Sequence, residues 1–351
     1  MKWIEIDGSQ GEGGGQVLRS ALTLSMLYRQ PVEIRNIRAG RKKPGLLRQH
    51  LTCVQAAKDI SQARCEGDSL GSTSVRFAPG AICPGEYQFA VGSAGSTVLV
   101  CQTILLPLVM TGQSATVEFE GGTHNGLSPS LTFFQDAFLA VLKQMGIHCE
   151  VQVASLGFNP AGGGRWRLSL FPTSHLEPFQ LEQPGADFAQ LPGHRRIRVI
   201  MSDLPSHIAE REIEATRKKL GWDETAADIH WVTSSCSGNS LHLSIDCGTY
   251  LSMFEAVGQY GTSAERVARR SAGKLQSYLR SGAAIEEHLA DQLLLPMIVA
   301  GSGRFTTTRP SQHTLTNIDV IRQMTGVNIQ VVPLDEELWE IVLEENHVSP
   351  Q

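Results

Sequence analysis

Apolar and polar positions recur along this chain in an order that repeats. TVLVCQTILLPLVMT (97–111) is apolar on every side of a helix, which predicts a buried helix. Its second half, LLPLVMTGQ (105–113), matches LLPMIVAGS (294–302), 189 positions later. Each segment ends at a glycine and runs into a stretch of strand character, ATVEFEGG (115–122) and RFTTTRP (304–310). A polar loop and a second helical pattern follow in both places, LTFFQDAFLAVLKQMG from Leu131 and LTNIDVIRQMTG from Leu315. The N-terminal region fits the same template: helix SALTLSMLYRQ (20–30), strand PVEIRNIRAG (31–40), a loop, and helix LLRQHLTCVQAAKDI (46–60).

Val32 and Val117 place the first two copies 85 positions apart, whereas the third arrives about 100 residues late, room for one small domain. That excess falls at 184–280, which has its own pattern: strand RRIRVIMSDLP (195–205), helix HIAEREIEATRKKLG (207–221), strands DIHWVT and NSLHLSID, and a basic helix over 263–282. The expected fold is therefore α+β. Three β-α-β-α-β-β units would form a large body from 1–183 and 281–351, interrupted by an inserted small α/β domain at 184–280.

The chain has 351 residues, 41% hydrophobic and 19% charged, as in ordinary globular enzymes. Its formal net charge of −5 means that any anion site must be a local patch. The seven cysteines include no C-x-x-C pair, which argues against a disulfide framework or zinc knuckle and for a reducing, cytoplasmic setting. The 97–111 segment is shorter than the roughly 20 residues a membrane span needs, so no membrane is expected.

Four segments could carry chemistry. GSQGEGGGQVLRS (8–20) clusters glycines between a strand and a helix, where backbone N–H groups can approach phosphate oxygens. It is neither a Walker loop nor a full dinucleotide fingerprint. Glu12 within it would repel phosphate unless a divalent cation, Mg or Mn, bridges them. IRAGRKKPGLLRQH (37–50) sits in a stretch with no acidic residue between Ile34 and Lys58, and its arginines suit phosphate. Asp291 and Gln292 lie in an apolar helix, where polar groups need partners or a ligand. PSQHTLTN (310–317) places His313 in the loop after the third central strand, equivalent to the basic loop and to GGTHNGLSPS of the second unit.

Together these segments resemble the RNA 3′-terminal phosphate cyclase family. GSQGEGGGQVLRSALTLS, IRAGRKKPGLLRQH, GSAGSTVLVCQTILLP, GGTHN, GFNPAGGG, HIAEREI, HLADQLLLPM and S-x-H-T-L-T-N occur in that family's order and cover the body end to end. The resemblance implies a ligase-class enzyme that uses ATP to convert an RNA 3′-terminal phosphate to a 2′,3′-cyclic phosphate, through histidine-linked AMP and then an RNA-adenylate. His313 matches the nucleophile and Glu12 the metal-binding glutamate. Arg19, Arg38, Arg41, Gln49 and His50 match the polar cluster around the phosphates. Gln102, Pro129 and His288, Leu289, Ala290, Asp291 and Gln292 match the nucleotide pocket; position 288 is often tyrosine in the family. Two alternatives share parts of this pattern. A non-catalytic cyclase-like RNA-binding protein of ribosome assembly would lack the histidine. An enolpyruvyl-transferase-like enzyme would use sugar-phosphate acceptors without ATP.

Overall fold

In a computed structural model, which describes residues 3–346, four four-stranded sheets carry the helices. The first sheet holds β1 (Ile4–Asp7), β2 (Val32–Arg35), β3 (Arg64–Glu66) and β4 (Val75–Ala78), with α1 (Gly15–Tyr28) and α2 (Arg48–Ser61) between them. The second holds β5 (Glu86–Ala90), β6 (Ala115–Gly121), β7 (Cys149–Ser155) and β8 (Gly164–Leu170). Its helices are α3 (Thr97–Val109), α4 (Leu131–Phe133) and α5 (Leu139–Gln144), the last two joined through a widened i→i+5 turn at Phe134–Phe138. Next come β9 (Gln180–Leu181), α6 (Gly185–Ala189), β10 (Arg195–Ser202), α7 (His207–Leu220), β11 (Ala226–Trp231), β12 (Gly238–Asp246), β13 (Leu251–Val257) and α8 (Ala264–Ser281). The chain closes with α9 (Glu287–Ala300), β14 (Gly303–Thr307), α10 (Gln312–Thr325), β15 (Gln330–Pro333) and β16 (Trp339–Leu343).

Helix α1 is buried along its length except at Gly15 and Arg19, as its apolar residues on every side require, and it packs against α2, α3 and α10. Helix α3 follows the same rule, with Pro107 accommodated inside it. Strands β6 and β8 alternate buried positions with half-exposed or exposed ones, the period-two pattern that faces one side to the helices. Three sheets have one strand order: β1-β2-β4-β3, β5-β6-β8-β7 and β9-β14-β16-β15. In each, the first pair is parallel and the next two are antiparallel. The fourth sheet, β11-β10-β12-β13, draws all its strands from 195–257.

The chain meets itself where 184–280 begins and ends: β9 pairs with β14, and the Gly185 N–H donates to the Ala283 carbonyl at 3.0 Å. Two further contacts tie the fourth sheet's region to that of the second sheet. The Leu156 N–H donates to Thr233 O at 2.9 Å, and the Ser130 N–H donates to Glu255 Oε1 at 2.9 Å.

Candidate active site

One expectation is corrected here. His313 does not lie in a loop; it stands in the first turn of α10. Ser311 caps that helix, its Oγ accepting the Thr314 N–H at 3.2 Å, so the helix begins at Gln312, ahead of the apolar run that starts at Leu315. The N-terminal helix is also longer than its apolar pattern suggests, because the last of the clustered glycines, Gly15, already opens α1.

These two helix starts are packed together through the glycine loop. Gly11 has a φ of 57°, and a Cβ there would sit 2.1 Å from Thr316 Oγ1, so only glycine allows the loop to close on α10. Thr316 Oγ1 accepts the Glu12 N–H at 2.9 Å. Glu12 is thereby brought near His313, with Oε1 3.8 Å from His313 Nε2. A Cβ on Gly15 would lie 2.5 Å from His50 Nε2 and 2.8 Å from Arg19 Nη1, which shows how tightly those side chains close on the loop.

Behind His313 runs a chain of polar groups. Gln16 Nε2 donates to both carboxylate oxygens of Asp291, at 2.7 and 2.9 Å. Asn317 Nδ2 donates to Asp291 Oδ1 at 3.2 Å, and Ser20 Oγ donates to Asn317 Oδ1 at 2.7 Å. With its amide nitrogen committed to a carboxylate, Gln16 can offer His313 Nδ1 only its carbonyl oxygen, 3.3 Å away. His313 must then carry its proton on Nδ1, leaving the Nε2 lone pair free. Burial lowers the His313 pKa; Asp291 raises it, and Arg19 and Arg41 add to the lowering. The ring is neutral at pH 7 and nucleophilic at Nε2.

A cavity of about 370 Å³ opens beside this chain. Gln16, Arg19, Gln102, Pro129, His288, Asp291, Gln292 and His313 all line it. Gln102 Nε2 donates to Gln292 Oε1, and Gln292 Nε2 donates to the His288 carbonyl at 3.0 Å. Lys274 Nζ lies 2.9 Å from His288 Nε2 and 3.1 Å from Glu287 Oε1. Burial and the lysine hold the His288 imidazole down to about 4, so its Nε2 accepts from the ammonium. Leu289 and Ala290 face the other way, into the core at 0% and 1% exposure, and do not line the cavity.

The basic segment is only partly free. Arg38, at a φ of 54°, donates through Nη1 to the carbonyls of Lys43 and Gly45, at 2.7 and 2.8 Å, and so braces its own loop. Arg41 pairs with the Glu12 carboxylate and donates to the Glu12 carbonyl. Gln49 Oε1 accepts the Ser96 N–H at 2.6 Å, joining α2 to the start of α3. His50 Nδ1 accepts the Leu47 N–H at 3.3 Å, so Nε2 carries the proton beside Gly15; burial and Arg19 push its pKa down to about 3. His124, in the loop after β6, is wholly buried between Thr123 and Thr132. Gly126 to Pro129 of that loop reach the cavity instead.

For a divalent cation the fit is a single oxygen. Glu12 Oε1 faces Arg41, whereas Oε2 is buried without a hydrogen-bond partner. No group of three or more His, Cys, Asp or Glu side chains among the described residues could hold a metal by itself. Glu12 suits an ion whose other ligands are phosphate and water oxygens.

The sequence motifs missed Gln16, Thr316 and Asn317, and the contributions of Arg270 and Lys274 from α8 to the cavity wall. The spacing of Thr316 and Asn317, three and four residues after His313, was a usable signal once α10 is known to start at Gln312.

Known proteins match nearly the whole chain. The family model for RNA 3'-terminal phosphate cyclase matches residues 10–331. The RNA 3'-terminal phosphate cyclase of Ectopseudomonas mendocina is 46% identical over 97% of this chain and 98% of its own length. Its namesakes from Pseudomonas aeruginosa and Salmonella agona are 46% and 44% identical, each over 97% of this chain and 98% and 96% of their own. The solved enolpyruvyl transferase NikO from Streptomyces tendae covers 97% of this chain and 48% of its own, but at a TM-score of 0.40 and 10% identity nothing rests on that likeness. Identity at this level, with α1 and the histidine helix lining one cavity and the glycine loop packed on that helix, leaves one conclusion: the chain belongs to the RNA 3'-terminal phosphate cyclase family.

Proposed function

We propose that this chain is an ATP-dependent RNA 3′-terminal phosphate cyclase that carries AMP on His313. The observation that supports this most is the Asp291–Gln16–His313 chain, which keeps the Nε2 lone pair free beside the cavity. Nε2 attacks the α-phosphorus of ATP; an N–P bond forms, the bond to the bridging oxygen breaks, and pyrophosphate leaves. An oxygen of the RNA 3′-terminal phosphate then attacks the same phosphorus, and the imidazole departs in its neutral Nδ1–H form. Finally the vicinal 2′-OH attacks the RNA phosphorus, giving up its proton as AMP leaves and the 2′,3′-cyclic phosphate closes. Each step is an in-line displacement at phosphorus, which depends on positioning and charge neutralisation. Gln102, Pro129, His288 and Gln292 would hold the nucleoside part of ATP. Arg19, Arg41 and His50 would face phosphate oxygens, with Arg38 bracing the loop that carries Arg41 and Gln49 tying α2 to the start of α3; Glu12 Oε2 would bind Mg or Mn, which when present neutralises phosphate charge. Incubation with α-labelled ATP and Mg²⁺ should yield acid-labile labelled protein; unlabelled protein under all metal conditions would sink the reading.

Two predictions separate the loop residues. Arg41→Ala should slow AMP transfer to RNA by about 2 kcal/mol or more in single-turnover cyclisation, with little change in Tm. Arg38→Ala should slow transfer and also lower Tm, because two carbonyls lose a charged donor, and lysine should not restore it. Wild-type rates in both variants would make the loop a solvated surface. Glu12→Ala should raise the metal concentration needed for adenylylation, and excess Mg²⁺ or Mn²⁺ should partly restore the rate. A general-base role predicts otherwise: no response to metal and a shifted pH profile.

The shared strand order of three sheets supports reading the body, 1–183 and 281–351, as three copies of one unit, with 184–280 inserted where its two ends meet.

A further inference from the structure

Helix α8 buries Val267, Ala268, Ala272 and Leu275, while Arg266, Arg269, Arg270 and Lys274 stand on its exposed face. Positions 266, 270 and 274 form a row with steps of about 6 Å. Glu265, the one acidic residue of the helix, is taken up by Arg211 from α7. Arg266, Arg269 and Arg270 have no carboxylate within ion-pair distance among the described residues, and three unpaired cations so close repel one another unless an anion covers them. Arg270 and Lys274 also line the nucleotide cavity, so one end of the row is the cavity wall.

Just ahead of the helix, Tyr260 is fully exposed at 110%. It sits in a turn closed by the Thr262 N–H to Gln259 O at 2.9 Å, with Gly261 at a φ of 77°, so that the ring stands clear of the protein. Gln259 from the same turn lines the cavity. An exposed aromatic ring in the turn that leads into a helix carrying unpaired arginines, in a chain of net charge −5, has the chemistry of a single-stranded nucleic-acid surface: stacking for a base, charge for the phosphates.

We infer that the RNA strand upstream of the terminal phosphate docks on this face, with a base on the Tyr260 ring and phosphates along Arg266 and Arg269. This rests on the cyclase reading. The test measures binding of one short single-stranded RNA with either a 3′-hydroxyl or a 3′-phosphate to the full chain, its Tyr260→Ala variant and an Arg266→Ser/Arg269→Ser double variant. None of the three positions lines the cavity, so labelling with ATP should keep its wild-type rate. Tyr260→Ala should weaken both RNAs at least about fivefold. The double variant should weaken both alike and lower the log–log salt slope by about 1.4, since each single-strand phosphate contact contributes roughly 0.7. Unchanged RNA affinity and salt slope would overturn the inference, and so would slower ATP labelling, which would assign the face to the nucleotide. If wild-type protein binds RNA through this face but never labels with ATP, the cyclase reading fails and the docking surface stands.

Discussion

His313→Ala is expected to take up no acid-labile label from ATP and to close no cyclic ends, a loss of about 10⁴-fold or more. The side chain is half-exposed at 52% and makes one hydrogen bond among the described residues, so Tm should hold and the loss is chemical. The wild-type pH profile adds a second check. A protonated ring has no lone pair, so adenylylation is complete above the His313 pKa and falls as pH drops through it. Burial sets that pKa below the ordinary 6.5, with Asp291 opposing and Arg19 and Arg41 assisting, so the acid limb should lie under pH 6.5. Arg41→Ala removes one of those cations and should move the limb to higher pH. Label retained in His313→Ala would place AMP on another residue, and a limb that stays fixed in Arg41→Ala would separate the titration from His313.

The sequence carried the parts of this site that depend on strong local patterns. Glycines between a strand and a helix, a long stretch without acidic residues, and apolar helices ending at glycine each follow from short-range physics, and the structure draws the segments that contain them into one region. Position along α10 was less legible. The apolar run from Leu315 marks only the body of the helix, whereas its start is capped by Ser311, whose Oγ accepts the Thr314 N–H, so the pattern alone puts His313 in a loop. Arg38 reads as one more phosphate-binding cation, yet its loop folds back and uses the guanidinium internally. Gln16 lies inside the glycine segment, yet nothing in that segment singles it out. A lone glutamine acquires meaning only when a carboxylate 275 positions away fixes the direction of its amide.

That fixed direction gives the second large expected effect. Asp291→Asn should cut covalent AMP formation by about 10² to 10⁴ while leaving ATP binding nearly intact. The carboxylate accepts from Gln16 through both oxygens, so the Gln16 carbonyl must point at His313 Nδ1. Burial raises the Asp291 pKa; the Gln16 amide, His313 and the Asn317 amide oppose that rise, and each of these partners favours the charged form. An asparagine side chain in its place offers one acceptor and one donor. The Gln16 amide can then turn over, accepting from the new Nδ2 and presenting its own N–H to His313 Nδ1. A ring nitrogen facing a donor must accept, so the proton moves to Nε2, where the attacking lone pair had been. The same substitution withdraws the anion that keeps the imidazole basic. Gln16→Leu removes the link without imposing the wrong tautomer, and should cost less than Asp291→Asn. A merely structural role for Asp291 would lower Tm in both variants and leave the ring unchanged. Nitrogen-15 spectra of His313 decide between the two: the proton should sit on Nδ1 in the wild type and on Nε2 in Asp291→Asn. An Asp291→Asn protein that labels at the wild-type rate, or that loses activity with its His313 proton still on Nδ1, would rule out tautomer control by this chain.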